Sequence, residues 1–169
     1  MTFLPSGYKV PESVSNYMKF KEEKNKFRVL DSAITGYEWW TEDASGRHPN
    51  RTKTMEEAVD QGVDPIKHFW AFPVYNYQQK AVQILEITQK TIMNGIKELV
   101  KSEDWGDPKG YDITVGKTGE KLETVYSVMP SPVKPISQEI VDKYKEMDLD
   151  LTALYRGDDP FLKSDKMEA

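Results

Sequence analysis

The sequence predicts a mainly-β domain: a five-stranded barrel with one helix between its third and fourth strands, followed by a flexible acidic C-terminal tail. Three observations lead there. Apolar residues recur with the two-residue period of strands in several separate segments. A single stripe of helical period lies between the third and fourth of those segments. The acidity is gathered at one end: residues 136–169 hold five Lys/Arg against nine Asp/Glu, which leaves only −1 of the formal net charge of −5 for the rest of the chain.

Residues 1–18, with Pro5, Gly7 and Pro11, show no period and read as an extended N-terminal arm. Residues 25–40 read as one long strand, with Phe27, Val29, Ala33, Tyr37 and Trp39 on one parity and Arg28, Leu30, Ile34 and Trp40 on the other. Gly36 marks a bend or bulge within it. Residues 41–66 form a polar excursion punctuated by Gly46, Pro49, Gly62 and Pro65, with at most one helical turn near residues 55–59. Excursions of this length are usually functional or mobile.

A hairpin over residues 67–87 follows, densely aromatic. Its Gln78-Gln79 turn lacks an Asn-Gly signal, so the loop is longer than two residues. Pro73 cannot donate to a ladder and points to an edge or a bulge. Thr88 can cap a helix running to Lys101, with Ile92, Ile96, Leu99 and Val100 as its apolar stripe. Gly95 weakens that helix and admits close packing. Residues 111–115 and 122–128 alternate as a second hairpin across the Gly116–Lys121 turn, and three prolines in residues 129–135 end the sheet. Ser137 caps a short helix to about Met147, with Glu139 near its positive end. These boundaries give an arm (1–18), a barrel domain (19–135), and a short helix with acidic tail (136–169).

Composition narrows the chemistry. The chain has no cysteine, which removes disulfides, thiolate metal sites and cysteine nucleophiles. Its two histidines, His48 and His68, lie on different segments, which disfavours an imidazole-based site. No apolar run approaches the roughly 20 residues a bilayer demands. The N-terminus has neither a basic nor an apolar signal region, so a cytoplasmic location is expected. Neither cofactor, metal nor catalytic residue is implied. The carboxylates Glu103, Asp104 and Asp107 beside Trp105 are the best local Mg²⁺ candidate and read as a solvated cluster. GKTGE at 116–120 lacks P-loop spacing and a following helix.

Five strands with a helix between the third and fourth is the connectivity of an oligonucleotide/oligosaccharide-binding barrel, which binds ligands on strands 2–3 and the 1–2 and 4–5 loops. Aromatic and basic residues concentrate in those segments. Unpaired bases stack on aromatic rings at roughly 1–3 kcal/mol each with little sequence preference, and cations beside them neutralise phosphate. Stacking candidates are Trp39, Trp40, Trp70, Tyr75 and Tyr77; phosphate candidates are Arg28, Arg47, Arg51, Lys53, Lys67 and Lys117. Alternate strand positions take opposite faces, so about half of such rings belong to a core. Trp70 and Phe72 share a parity and fall under that alternative. A protein-interaction domain of the same barrel, with the aromatic hairpin as its interface, is the second reading.

Three runs carry a family resemblance: KFRVLDSAITGYEWWTED, KHFWAFPVYNYQQKAVQILEITQKTI and WGDPKGYDITVGKTGEKLETVYSVMPSPVKP. As an ordered set spanning about residues 17–136, they resemble bacteriophage-type single-stranded DNA-binding proteins. The resemblance implies non-catalytic binding of exposed single strands in phage DNA replication, recombination or repair, within the host cytoplasm. It also implies an acidic tail that recruits replication or recombination proteins and competes with DNA for the groove. Asp158, Asp159, Pro160 and Phe161 look like the partner-binding tip of bacterial single-strand binding proteins. Here eight residues follow Phe161, so a pocket reading a free terminal carboxylate there is not satisfied.

Overall fold

The computed structural model describes residues 3–10, 15–58 and 65–161. Seven strands form one antiparallel sheet: β1 (Lys24–Val29), β2 (Ile34–Asp43), β3 (Gly46–Thr52), β4 (Lys67–Asn76), β5 (Ala81–Ile87), β6 (Asp112–Thr118) and β7 (Val125–Pro130). Two α-helices accompany them, α1 (Lys90–Lys101) and α2 (Gln138–Met147). No described helix is long and apolar enough to cross a membrane.

The single long strand expected over residues 25–40 is two strands. β4 carries both on one edge: Val29 pairs with Val74, and Ile34 with Ala71. Between them residues 30–33 bulge out, and the cause is Pro73. The Leu30 amide donates to the Pro73 carbonyl at 2.9 Å. In a strand the N–H and C=O of one residue point to the same edge, so the donor that proline lacks would have faced this break. Pro73 thus sits at a bulge, although β4 is the sheet's most central strand. Gly36 has a different task from the expected bend. A Cβ there would collide with the Thr52 backbone carbonyl oxygen, so glycine lets β3 close onto β2.

β3 replaces the first part of the expected loop. It is polar and contains Pro49, which an edge strand tolerates. The remaining helical expectation reduces to a 3-10 turn at Met55–Glu57, with residue 59 outside the described residues. The β4–β5 loop has four residues, 77–80, turned by Asn76 Oδ1, which accepts from the Gln78 amide at 3.0 Å. α1 begins one residue later than expected, with Gln89 rather than Thr88 at its N-cap and no side-chain cap bond. Ile92 and Ile96 are buried as the stripe requires, and Met93 joins them, whereas Val100 is exposed.

The barrel is not closed: among the described residues β5 has a strand ladder only with β4, and β7 only with β6. Both approaches are occupied. Residues 16–18, expected as part of a free arm, run along β5; Met18 N donates to Ile84 O and Ile84 N to Asn16 O, each at 2.9 Å. On the other side α1 packs on β7, where a Cβ at Gly95 would lie 2.7 Å from Val128.

Register assigns the side chains to two faces. Phe27, Val29, Phe72, Val74, Leu85, Ile87, Ile113 and Val115 share the first face and form the main core with α1. Phe69, Ala71 and Ile84 lie on the second face. The C-terminal segment covers them. Of the tail expected to be flexible, residues 162–169 lie outside the described residues; the part before them forms a 3-10 turn at Leu151–Arg156, with Ala153 and Leu154 buried, Pro160 buried, and Phe161 edge-on to Tyr17 at 6.3 Å. Its apolar residues explain the docking: Leu149, Leu151, Leu154 and Tyr155 pack on the second face. The Tyr155 hydroxyl donates to Thr35 O at 2.5 Å.

Candidate nucleic-acid interface

The docked segment divides the second face into two ends. Tyr75 of β4 pairs with Arg28 of β1, and Arg28 with Asp112 of β6, so the three share one end of this face. Arg28 was expected to contact phosphate. Instead its side chain is 1% exposed and its Nε donates to Asp112 Oδ1 at 2.8 Å. The Tyr77 hydroxyl donates to the same oxygen at 2.7 Å. Burial, then that bond, holds the hydroxyl well above its ordinary pKa. Tyr77 also meets Tyr75 edge-to-face at 5.2 Å.

Asp112 is fully buried, and its charge gathers cations at the surface. Lys26 Nζ and Lys134 Nζ each lie 3.8 Å from Oδ2 and remain substantially exposed. Lys26 Nζ is also 5.3 Å from the Tyr77 ring centroid. Two half-buried tyrosines and two accessible ammonium groups therefore occupy one patch. Neither lysine stood out in the sequence, because the carboxylate that positions them is distant along the chain.

The other end is a cleft lined by Trp40, Glu38, Arg51 and Glu86 together with Tyr17 and Asp158. Trp40 is half-buried, with the exposed Arg47 guanidinium 5.5 Å from its ring. Arg51, a phosphate candidate, is held between carboxylates: Nη2 donates to Glu86 Oε2 at 2.8 Å, and Nε lies 3.5 Å from Glu38 Oε2. Burial, followed by the hydrogen bond and like charge of Glu86, raises Glu38 to about 8. An acid with a higher pKa in the folded state takes up a proton on folding, so stability falls as pH rises from about 4.5 to 8 and then levels. Glu38→Gln mimics the protonated acid. It is expected to melt above the parent at about pH 9 and level with it at about pH 5. Thermal melts at both values check this, and an equal shift at both would mean that Glu38 is ionised throughout.

The remaining candidates scatter. Trp39 is buried on the opposite face from Trp40, and Trp70 is half-buried against the main core beside Phe72. Lys53 lies 5.6 Å from the Tyr155 ring, and Lys67 is exposed at the cleft end of β4. Lys117 donates from Nζ to the Phe20 carbonyl at 3.1 Å. In the tail tip, Asp158 and Asp159 are exposed, Pro160 is buried, and Phe161 packs against the chain's own second-face cluster. Thus Trp40 with Arg47, and Tyr75 with Tyr77, come together as aromatic and basic groups. Trp39, Trp70 and Arg28 are built into the fold.

Comparison with protein-family models, curated proteins and solved structures gives no match.

Proposed function

We propose that this protein binds single-stranded DNA without catalysis and with little overall sequence preference, stacking bases on half-buried rings and holding phosphates with lysines. The observation that carries the reading is the patch in which Tyr75 and Tyr77 lie beside Lys26 and Lys134, both drawn to the buried Asp112. Such rings take any base face, while mobile ammonium groups suit a backbone of repeating phosphates. Connectivity supports the same reading. If β1 and β2 count as one strand broken at Pro73, and β3 as an excursion, the order strand, strand, strand, helix, strand, strand remains. That is the order of an oligonucleotide-binding barrel, here left open.

The family resemblance favours DNA and a phage replication, recombination or repair setting. The docked segment occupies the centre of the second face, so a strand crossing all of it has to displace residues 149–161. This gives the acidic tail a physical route to compete with DNA. Asp158 and Asp159 on the segment are candidates for meeting replication or recombination proteins.

Intrinsic tryptophan fluorescence during titration with a mixed-sequence oligonucleotide tests the proposal. Quenching by the single strand, absent with the duplex and weakened by salt, is expected, since each phosphate contact contributes a slope near −0.7 in log K against log salt. Because the Tyr75–Tyr77 patch holds no tryptophan, the anisotropy of a labelled strand is read beside the quenching, and no response of a folded protein by either readout overturns the proposal. Concentration-dependent assembly through Tyr75 and Tyr77 would then favour an interaction domain.

A further inference from the structure

The cleft at the Trp40 end has an unusual floor. It encloses about 740 Å³, and while Lys19, Asp158 and Asp159 on its walls are exposed, the charged groups of the floor are almost closed to solvent: the Glu38, Arg51 and Glu86 side chains are 9%, 10% and 17% exposed. Arg51 Nε and Glu38 Oε2 stand 3.5 Å apart, and neither has a hydrogen-bond partner. The two attract as an ion pair without forming a hydrogen bond, and a buried donor and acceptor left in that condition are costly in a folded protein. Two carboxyl groups face one guanidinium, and one of its N–H groups already serves Glu86. The floor therefore has acceptors to spare. Burial, and after it the neighbouring Glu86 carboxyl, favour the protonated form of Glu38 in the free protein, which partly relieves this shortage of donors.

The flat wall of Trp40 and this floor together specify a ligand: a planar group with a carbonyl for the Arg51 guanidinium and two adjacent N–H groups for carboxyl oxygens. Among the DNA bases only guanine presents O6, N1–H and N2–H in that order along one edge. Thymine can offer O4 and N3–H, but its O2 would then face a carboxyl oxygen. Adenine and cytosine each set one amine beside a lone pair on that edge. We propose that the cleft is a single-base pocket that takes one guanine from the bound strand, with O6 on Arg51, N1–H and N2–H on Glu38 and Glu86, and the ring against Trp40. This rests on the single-strand-binding reading and adds one discriminating position to otherwise sequence-tolerant binding. Arg47, above the Trp40 ring, and Lys19 at the cleft wall are placed to meet the phosphates flanking that base.

The test uses the full chain and fluorescently labelled short oligothymidine strands that are unmodified or carry one central dG or one central dI, read by anisotropy. The dG strand is expected to bind roughly tenfold tighter than the all-thymidine strand, the range of one good bidentate base contact. The dI strand, which lacks only the N2 amine, should fall between them. Guanine N1–H and N2–H call for Glu38 as the carboxylate, a form that Glu38→Gln lacks at every pH, so this variant should bring the three strands to the same affinity. Equal binding of all three by the parent protein overturns the pocket while leaving single-strand binding intact. So does a dG preference that survives in a folded Glu38→Gln. Binding of none overturns both readings. The comparison of dG with dI requires no variant, so the pocket remains testable if Glu38→Gln fails to fold.

Discussion

Asp112→Ala is expected to lose about 3–5 kcal/mol of folding stability, a large part of what a domain of this size possesses. The reason is what remains behind. Arg28 is 1% exposed, and with Asp112 gone its nearest acceptor is the Lys109 carbonyl at 3.3 Å from Nη1. Nη2 already has no partner. The Tyr77 hydroxyl loses its acceptor at the same stroke. A buried guanidinium without its carboxylate is far worse than no ion pair, so the double change Arg28→Met with Asp112→Leu should recover most of the loss. Urea unfolding of the three proteins reads this as a shifted midpoint at unchanged slope. A loss below about 1 kcal/mol for Asp112→Ala would mean that water reaches the guanidinium and the pair lies at the surface.

Tyr75→Ala is expected to weaken single-stranded DNA binding by roughly 1–3 kcal/mol, about 5- to 150-fold, evenly across oligonucleotide sequences. Tyr75 is half-buried, and its ring meets Tyr77 edge-to-face at 5.2 Å. The two rings therefore support each other, and Tyr75→Ala with Tyr77→Ala should cost less than the sum of the single changes. Tyr77→Phe separates stacking from structure. It keeps the ring and removes the bond to Asp112, so it should lower stability more than affinity. Anisotropy at fixed salt, with circular dichroism to confirm folding, measures all four variants. Unchanged affinity in the double variant would remove this patch from the interface.

The sequence made local structure readable and long-range pairing opaque. The β4–β5 hairpin, α1 and the β6–β7 hairpin follow from local periods, and α2 begins after Ser137 as expected, although neither helix has the side-chain cap bond that the sequence led one to expect. β3 has no such signal: GRHPNRT neither alternates nor carries β-branched apolar residues, and it is a strand because β2 supplies the partner. The break between β1 and β2 is caused by Pro73, which lies on another strand. The tail read as solvated because its charges are conspicuous, whereas its leucines have meaning only against Phe69, Ala71 and Ile84. The site divides in the same way. Ring types and parity are legible, and Trp70 and Phe72 do share the core side. The allegiance of each cation is not: whether Arg28 meets phosphate or carboxylate depends on Asp112, 84 positions away.

The docking of both flanks on β5 also bears on the order of assembly. Ile84 receives residues 16–18 along one edge and Leu154 over its face, contacts that span most of the chain. Contacts so distant close slowly, because the loop entropy must be lost before they contribute. During synthesis every strand emerges before residues 149–161, so Phe69 and Ala71 stand bare until that segment arrives. For that interval the nascent chain exposes an apolar sheet face.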